Sequence, residues 1–336
     1  MANRRIGSSL RFSSRPTIIA SGTAAGPMES KGPLARWFDC LVPDDMYGER
    51  TPEKAERRFM RDAADIALKA AGLTGADIHL LAAGDLLNQI VSASFTAEVI
   101  GAPFLGMYGA CSTSAEALIV AASHVEAGFA DVAMSVTSSH YQSAERQFRY
   151  PVELNIQRKS TSQYTVTGSG ALIVSPQGGK VAVTEATIGR VIDMGVRDTN
   201  QMGPAMAPAA ADTMFRHFAD TGRSPDYYDL IISGDLGSVG SSILRHLMEE
   251  RGVPLGENYK DAGVWIFDGV KGTGVGGSGC ACSALVMGGF IYKQMLSNEI
   301  TRALVVATGA LLSPLTWQQG ESIPGVAHAV ALEVQL

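Results

Sequence analysis

The sequence predicts an α/β protein assembled from two diverged copies of one strand and helix unit, and three observations carry that expectation. Laying Cys282 over Cys111 without a gap pairs Ala110-Cys111-Ser112 with Ala281-Cys282-Ser283. The same alignment carries both segments through a long apolar stretch into a second apolar run, residues 131–137 in one copy and 302–308 in the other. Upstream, Gly84-Asp85-Leu86 and Gly234-Asp235-Leu236 each close an apolar run. The composition agrees, because 336 residues with 46% hydrophobic and 18% charged side chains suit two halves that share one buried core. The expected halves are residues 1–175, with the Cys111 helix and a long loop at 141–163, and residues 176–336, with a glycine-rich loop at 272–279.

Taken in order, Pro16 to Ala24 reads as the first strand, and Gly26 to Tyr47 as an interrupted insertion containing Trp37 and Phe38. Thr51 then caps a helix with Pro52 at its first position, and Ala55, Phe59, Ala63, Ile66, Ala67 and Ala70 recur at helical spacing until Gly72. Glu56, Arg57, Arg61, Asp62, Asp65 and Lys69 are expected on its solvated face. Ile78 to Ala83 is a strand, Gln89 to Ile100 a helix, and Pro103 begins the strand that delivers Gly109-Ala110-Cys111. The helix after Cys111 carries no charge but Glu116 until Glu126, so it is expected inside the molecule rather than on its flank. Asp131 to Thr137 follows as a strand, with Ser138-Ser139-His140 just past its end, where ligands collect in α/β sheets.

Residues 141–163 show little periodicity and read as a long functional or contact loop. Thr165 to Ser175 and Val181 to Ile188 are the next strands. The second copy then runs through helices at Ala209 to Ala219 and Ser242 to Arg251 around a strand at Asp229 to Ser233. After the glycine loop come the Cys282 helix, a strand at 303–309 and a closing strand near Ala327 to Val334.

Composition also excludes classes. A net charge of −6 argues against a nucleic-acid surface, which needs a basic face. Four cysteines do not make a disulfide scaffold, and Cys280-Ala281-Cys282 lacks further ligands at metal spacing, so no metal and no cofactor is expected. Gly272 to Tyr292 holds 21 residues without a charge, but its first half is glycine-rich, leaving a buried helix rather than a membrane span. The arginines near the amino terminus lack an apolar core between them, so no secretory signal is read there. The expected location is the cytoplasm or the periphery of a membrane.

Cys111 at a helix start sits where unpaired backbone N–H groups and the positive end of the helix dipole favour a thiolate, the usual route to a nucleophilic cysteine or an anion site. The duplicated α/β unit with this cysteine resembles the thiolase and ketoacyl-synthase superfamily. Within it, Ser138-Ser139-His140, Ala144-Glu145-Arg146-Gln147-Phe148-Arg149-Tyr150-Pro151, Gly234-Asp235-Leu236-Gly237 and Gly276-Gly277-Ser278-Gly279-Cys280-Ala281-Cys282-Ser283 resemble the stage V sporulation protein AD family. The likeness covers nearly the whole chain. It implies a five-layer αβαβα fold with two central sheets, and binding of dipicolinic acid, with or without Ca²⁺, for uptake into the developing spore. It further implies a peripheral place at the forespore membrane, other proteins of the same sporulation channel as partners, and a homodimer.

The departures from the enzymes point the same way. Thiolytic or condensing chemistry needs a base beside the thiol and donors for an oxyanion. Thiolases supply a histidine from a glycine-rich loop of the second half, and here residues 272–279 contain none. His217 and His246 lie among charged residues and are expected on the surface; His328, in the final strand, is a candidate for the pocket. The expectation is therefore a non-catalytic receptor, with an acyl-thioester enzyme using Cys111 as the alternative. For a flat dianion, Cys111 and the first N–H groups of its helix would face one carboxylate. Arg146, Arg149, Arg158 and Lys159 are candidates for the other, and His140, Ser278 and His328 complete the set.

Overall fold

The structure is a computed structural model that describes residues 5–148 and 159–335. Its core is ten strands with a mirrored order. The first half supplies β1 (Thr17–Ala25), β2 (Leu80–Gly84), β3 (Phe104–Gly106), β4 (Ala133–Ser139) and β5 (Gly168–Ser175). The second half supplies β6 (Val181–Thr187), β7 (Leu230–Ser233), β8 (Tyr259–Asp261), β9 (Arg302–Ala310) and β10 (Gly325–Val334). The strands run β8-β7-β9-β10-β6-β1-β5-β4-β2-β3, so each half repeats one order outward from the centre. Where two central sheets were expected, antiparallel pairing of Ile18 with Val181 and Thr17 with Ala182 joins the two five-stranded halves edge to edge.

Helices complete five layers. α1 (Pro52–Ala71) packs on β1 and β5, with α2 (Val91–Ile100) beside it. α3 (Thr113–Ala127) touches β2, β4 and β9, while the helix α7, which begins at Cys280–Leu285 and continues through a π turn into Tyr292–Leu296, touches β4 and β5. These two helices form the middle layer and meet where the Ser114 and Ser283 hydroxyls lie 2.6 Å apart. α5 (Met202–Thr221) covers β9 and β10 on the far side, and α6 (Gly237–Glu250) packs beside it, reaching β8. Leu118 and Ala121 of α3 are fully buried, as the near-absence of charge in that stretch requires.

Local chemistry explains the elements. α1 starts as expected, with Thr51 Oγ1 accepting the Lys54 N–H at 3.4 Å, and ends at Gly72 in the left-handed region at φ 68°. Its solvated face holds one exception: Glu56 is fully buried, accepting the Ser138 hydroxyl at 3.1 Å and the Ser143 hydroxyl at 2.6 Å. Residues 141–148, expected in a loop, form helix α4 (Tyr141–Phe148); it buries Ser143, Ala144 and Glu145, two of them polar, so the segment lacks the apolar periodicity that marks a helix in sequence. α5 begins seven residues before the expected Ala209, carrying Pro208 inside it. An internal proline costs a helix about 3 kcal/mol, offset here by burial of Ala205 to Ala211 against the sheet.

His217, expected on the surface, is fully buried on α5, between the Thr187 hydroxyl at 2.9 Å and the Tyr228 hydroxyl at 2.6 Å. Burial holds it neutral, with its pKa down to about 3. His246 is exposed on α6 and pairs with Glu250 at 3.2 Å. No described helix is long and apolar enough to cross a membrane.

Candidate functional site

Two turns from opposite halves build one cleft. After β3 the chain enters a 3₁₀ turn, Ala110–Ser112, which runs straight into α3 and places Cys111 at its base. Ala110 is held at φ 52°, a conformation that costs a non-glycine residue energy and recurs at functional sites. Gly309 of β9 backs the turn so closely that a Cβ there would lie 2.5 Å from the Gly109 carbonyl oxygen. From the other half, Gly277 and Ser278 pair with Tyr164 and Thr165, laying the glycine-rich loop along the cleft. Gly279 then turns into α7 at φ 100°, where a Cβ would meet the Ser139 hydroxyl at 2.5 Å.

The cleft encloses about 290 Å³, at the lower end of small-molecule sites. Leu86, Phe148, Met202 and Leu312 give it apolar walls, and Asn88, Thr165, Ser278 and Ser313 supply polar groups around them. Tyr108 and Glu145 also line it, the Tyr108 hydroxyl donating to Asn88 Oδ1 at 3.3 Å.

At the floor, Cys111 Sγ lies 3.8 Å from Ser278 Oγ. Behind them stands Asp235, which is 1% exposed. Its Oδ2 accepts the Ser278 hydroxyl at 3.2 Å and the Gly279 N–H at 2.9 Å, and its Oδ1 accepts the Thr308 hydroxyl at 2.8 Å. Thr308 Oγ1 in turn accepts the Asp235 N–H at 3.1 Å. Asp85, its counterpart in the first half, instead accepts the Leu87 and Ala93 N–H groups, both at 2.8 Å, and so fixes the turn that presents Leu86.

This floor reverses the thiolate expectation. Burial pushes the Cys111 thiol well above its ordinary pKa, and the Asp235 carboxyl adds to the effect. The dipole of α3 does not prevail, because the turn spends its own donors: the Ser112 N–H goes to the Gly109 carbonyl and the Thr113 N–H to the Ala110 carbonyl. Burial also raises Asp235, to about 6. Cys280 and Cys282 are buried thiols as well, directed at the Ser138 and Gly234 carbonyls at 2.9 and 3.5 Å.

Of the predicted site residues the structure brings Cys111 and Ser278 together and places His140, His328, Arg146 and Lys159 elsewhere. His140 is fully buried outside the cleft lining; its Nε2 lies 2.8 Å from the Asp45 carbonyl and its Nδ1 accepts the Gln142 N–H at 3.2 Å. Burial lowers its pKa, so it is neutral, with both nitrogens engaged by backbone. His328 Nδ1 accepts the Gly189 N–H at 3.2 Å, and burial brings its pKa down to about 4. Arg146 is exposed and pairs with Glu53 at 3.0 Å, and Lys159 is exposed and pairs with Asp198 at 2.7 Å. Arg149 and Arg158 lie outside the described residues. Among the described residues no histidine, lysine or arginine lines the cleft.

Sequence reasoning singled out Gly234-Asp235-Leu236 as a repeat without giving Asp235 a place at the site. Asn88, Tyr108, Thr165 and Ser313 carried no signal in the sequence at all.

Comparison with known proteins gives concordant results. The sequence model of the family described as stage V sporulation protein AD matches residues 7–333. A Bacillus subtilis (strain 168) protein of that name is 49% identical over 316 residues, covering 94% of each chain. Among solved structures, the 3-oxoacyl-(acyl-carrier-protein) synthase III of Aquifex aeolicus VF5 is similar with a TM-score of 0.59 at 15% identity, over 95% of this chain and 99% of that one. An OleA variant of Xanthomonas campestris gives a TM-score of 0.64 at 12% identity, over 99% and 100%. These likenesses establish the thiolase-like fold and nothing finer.

Proposed function

Since the chain belongs to the stage V sporulation protein AD family, we propose that its Cys111 cleft is a receptor for dipicolinic acid, free or as its Ca²⁺ chelate, and not a centre of acyl transfer. One observation carries this reading: Cys111 Sγ faces a hydroxyl and a buried carboxyl, Ser278 and Asp235, in place of an imidazole. A carboxyl beside a thiol opposes formation of the thiolate that acyl transfer requires. A flat ring fits between apolar walls, and hydroxyl and amide donors at Ser278, Thr165, Asn88 and Ser313 suit its carboxylates.

Equilibrium titration of dipicolinate, with and without Ca²⁺, tests the reading. Saturable binding that weakens several-fold in Cys111→Ala supports it, and unchanged affinity removes that cysteine from the site. Arg146→Ala and Lys159→Ala are expected to bind within about twofold of wild type, because exposed pairs of this kind contribute little. Mixing the protein with a radiolabelled acyl-CoA separates the enzymatic alternative: label retained on Cys111 favours it, and an unlabelled protein favours the receptor.

We place the protein at the periphery of the forespore membrane, handing its ligand to other proteins of the same channel, and as a homodimer joined at β3. β3 is an open edge of the sheet, and Phe95, Val99, Leu105 and Tyr108 around it are 42–52% exposed. Open edges with apolar side chains are what a second chain covers. Sedimentation is expected to show a dimer for wild type and a monomer for the Phe95→Glu, Val99→Glu double variant; a wild-type monomer would exclude the arrangement.

A further inference from the structure

The reading of the cleft as a dicarboxylate receptor raises a question of charge, and the inference below rests on that reading. Two carboxylates must enter a site in which no described lysine or arginine faces them. The buried group nearest the floor is itself an acid, Asp235.

The hydrogen bonds around Asp235 define what each protonation state does. A serine hydroxyl has one proton to give. While Asp235 is ionised, Ser278 spends that proton on Oδ2 at 3.2 Å and turns its lone pairs toward the cleft, against an incoming carboxylate. With a proton on Oδ2, Asp235 donates to Ser278 Oγ, and the Ser278 proton is released to point at the ligand. The Gly279 N–H at 2.9 Å and the Thr308 hydroxyl at 2.8 Å hold the carboxyl in place in either state.

We propose that Asp235 is a proton-linked positioning residue, so that the dicarboxylate enters together with one proton taken up at the Asp235 carboxyl and relayed as a hydrogen bond through Ser278. The balance is simple: a dianion and a proton go in, and no covalent bond other than O–H forms. Asp235 does not line the cleft; it acts through Ser278, which does.

The described elements packed against Asp235 bring no competing positive charge. The turn before α3 brings the Cys111 thiol, and α7 brings the Cys282 thiol, both pushed far above neutrality by burial. β9 brings Thr308, and Gln163 gives its Nε2 hydrogen to the Asp235 carbonyl at 2.5 Å. β8 brings Asp261, which burial raises to about 7 and whose carboxylate is held by the Leu236, Gly237 and Val264 N–H groups. Glu145 faces the cleft from its wall. None of these is a cation, so proton uptake is the means of balance that the described floor offers. The carboxyl is already raised to about 6, and a dianion beside it raises it further, which puts the linkage in the accessible range.

Calorimetric titration of dipicolinate between pH 5.5 and 8, in buffers of different ionisation enthalpy, tests this. Wild type is expected to take up close to one proton at pH 7.5 and to lose affinity toward a limit of about tenfold per pH unit above pH 7. Asp235→Asn has no titrating proton and, with its amide oxygen held by the Gly279 N–H, is expected to bind at pH 8 within about twofold of its pH 6 affinity, with no proton uptake. Should that variant not fold, Ser278→Ala breaks the relay and is expected to lose most of the linkage. Wild-type binding without proton uptake, or an Asp235→Asn profile that follows the wild type, overturns the inference while leaving the receptor in place. Absence of dipicolinate binding at every pH overturns the receptor reading and this inference together.

Discussion

Replacing Cys111 by tryptophan is expected to weaken dipicolinate binding at least about 100-fold while leaving the fold in place. The position sits at the floor of an open cleft of about 290 Å³, so the indole has the cavity itself to grow into and need not displace the packed interior. Overpacking penalties of about 1–3 kcal/mol arise where no space exists; here the side chain fills the volume the ligand would occupy. Thermal unfolding of Cys111→Trp within a few degrees of wild type, together with loss of binding by calorimetry, is the expected pair of results. Retained binding in a folded Cys111→Trp protein would move the ligand to another surface.

The second large effect is on stability as pH rises from about 4.5 toward neutrality. Glu29, Glu56 and Asp261 are fully buried carboxyls whose pKa burial raises, Glu29 and Asp261 to about 7 and Glu56 well above its ordinary value. For an acid raised on folding, the native state holds a proton that the unfolded chain releases near pH 4, so stability is lost as pH rises toward the folded value. The buried histidines act in the opposite sense. His140, His217 and His328 are lowered by burial, so their contribution is present above the unfolded value near 6.5 and lost as pH falls below it.

The two sets oppose each other below pH 6.5, and each acid stops contributing once the pH passes its folded value, about 7 for Glu29 and Asp261. Glu29 and Asp261 are therefore expected to give up their contribution between about pH 4.5 and 7, at up to about 1.4 kcal/mol per pH unit for each proton that the folded state alone retains, and to add no slope above that window. Glu56→Gln keeps hydrogen-bonding capacity toward Ser138 and Ser143 and removes one such proton. Its unfolding free energy, followed in urea upward from pH 5, is expected to fall less steeply than that of wild type. An identical slope would show that Glu56 is not the group that titrates.

The parts of this fold that sequence alone revealed are those with local signals. α1 is bracketed by Thr51, Pro52 and Gly72, whose roles depend on neighbours within a turn. The interior course of α3 follows from a run of small and apolar residues with one charge before Glu126, and Leu118 and Ala121 are buried accordingly. The features that escaped depend on tertiary partners. Glu56 occupies a position that periodicity assigns to solvent, yet Ser138 and Ser143 from β4 and α4 enclose it. His217 lies beside Arg216 and near Asp220 in the chain but turns inward to Thr187 and Tyr228. The start of α5 was obscured by Gly203, Pro204 and Pro208, which read as breakers until the sheet that packs on them is known.

At the cleft, Cys111 and Ser278 were legible because each sits in a conspicuous local string. Asp235 was legible only as one half of a repeat, since its side-chain partners Ser278, Gly279 and Thr308 lie 43 to 73 residues away along the chain. The thiolate expected at Cys111 rested on the helix dipole alone. Burial and a neighbouring carboxyl outweigh a dipole that is worth about 0.3–1 kcal/mol at exposed sites, and neither could be read from the residues that flank the cysteine.

A crystal structure of the protein soaked with dipicolinate addresses the central claim most directly. The ring is expected between the apolar walls formed by Phe148, Met202 and Leu312, with one carboxylate within hydrogen-bond distance of Ser278 Oγ and the Cys111 sulfur unmodified. A cleft that stays empty while dipicolinate binds saturably in solution, or a ring seated on another face of the molecule, would contradict the account.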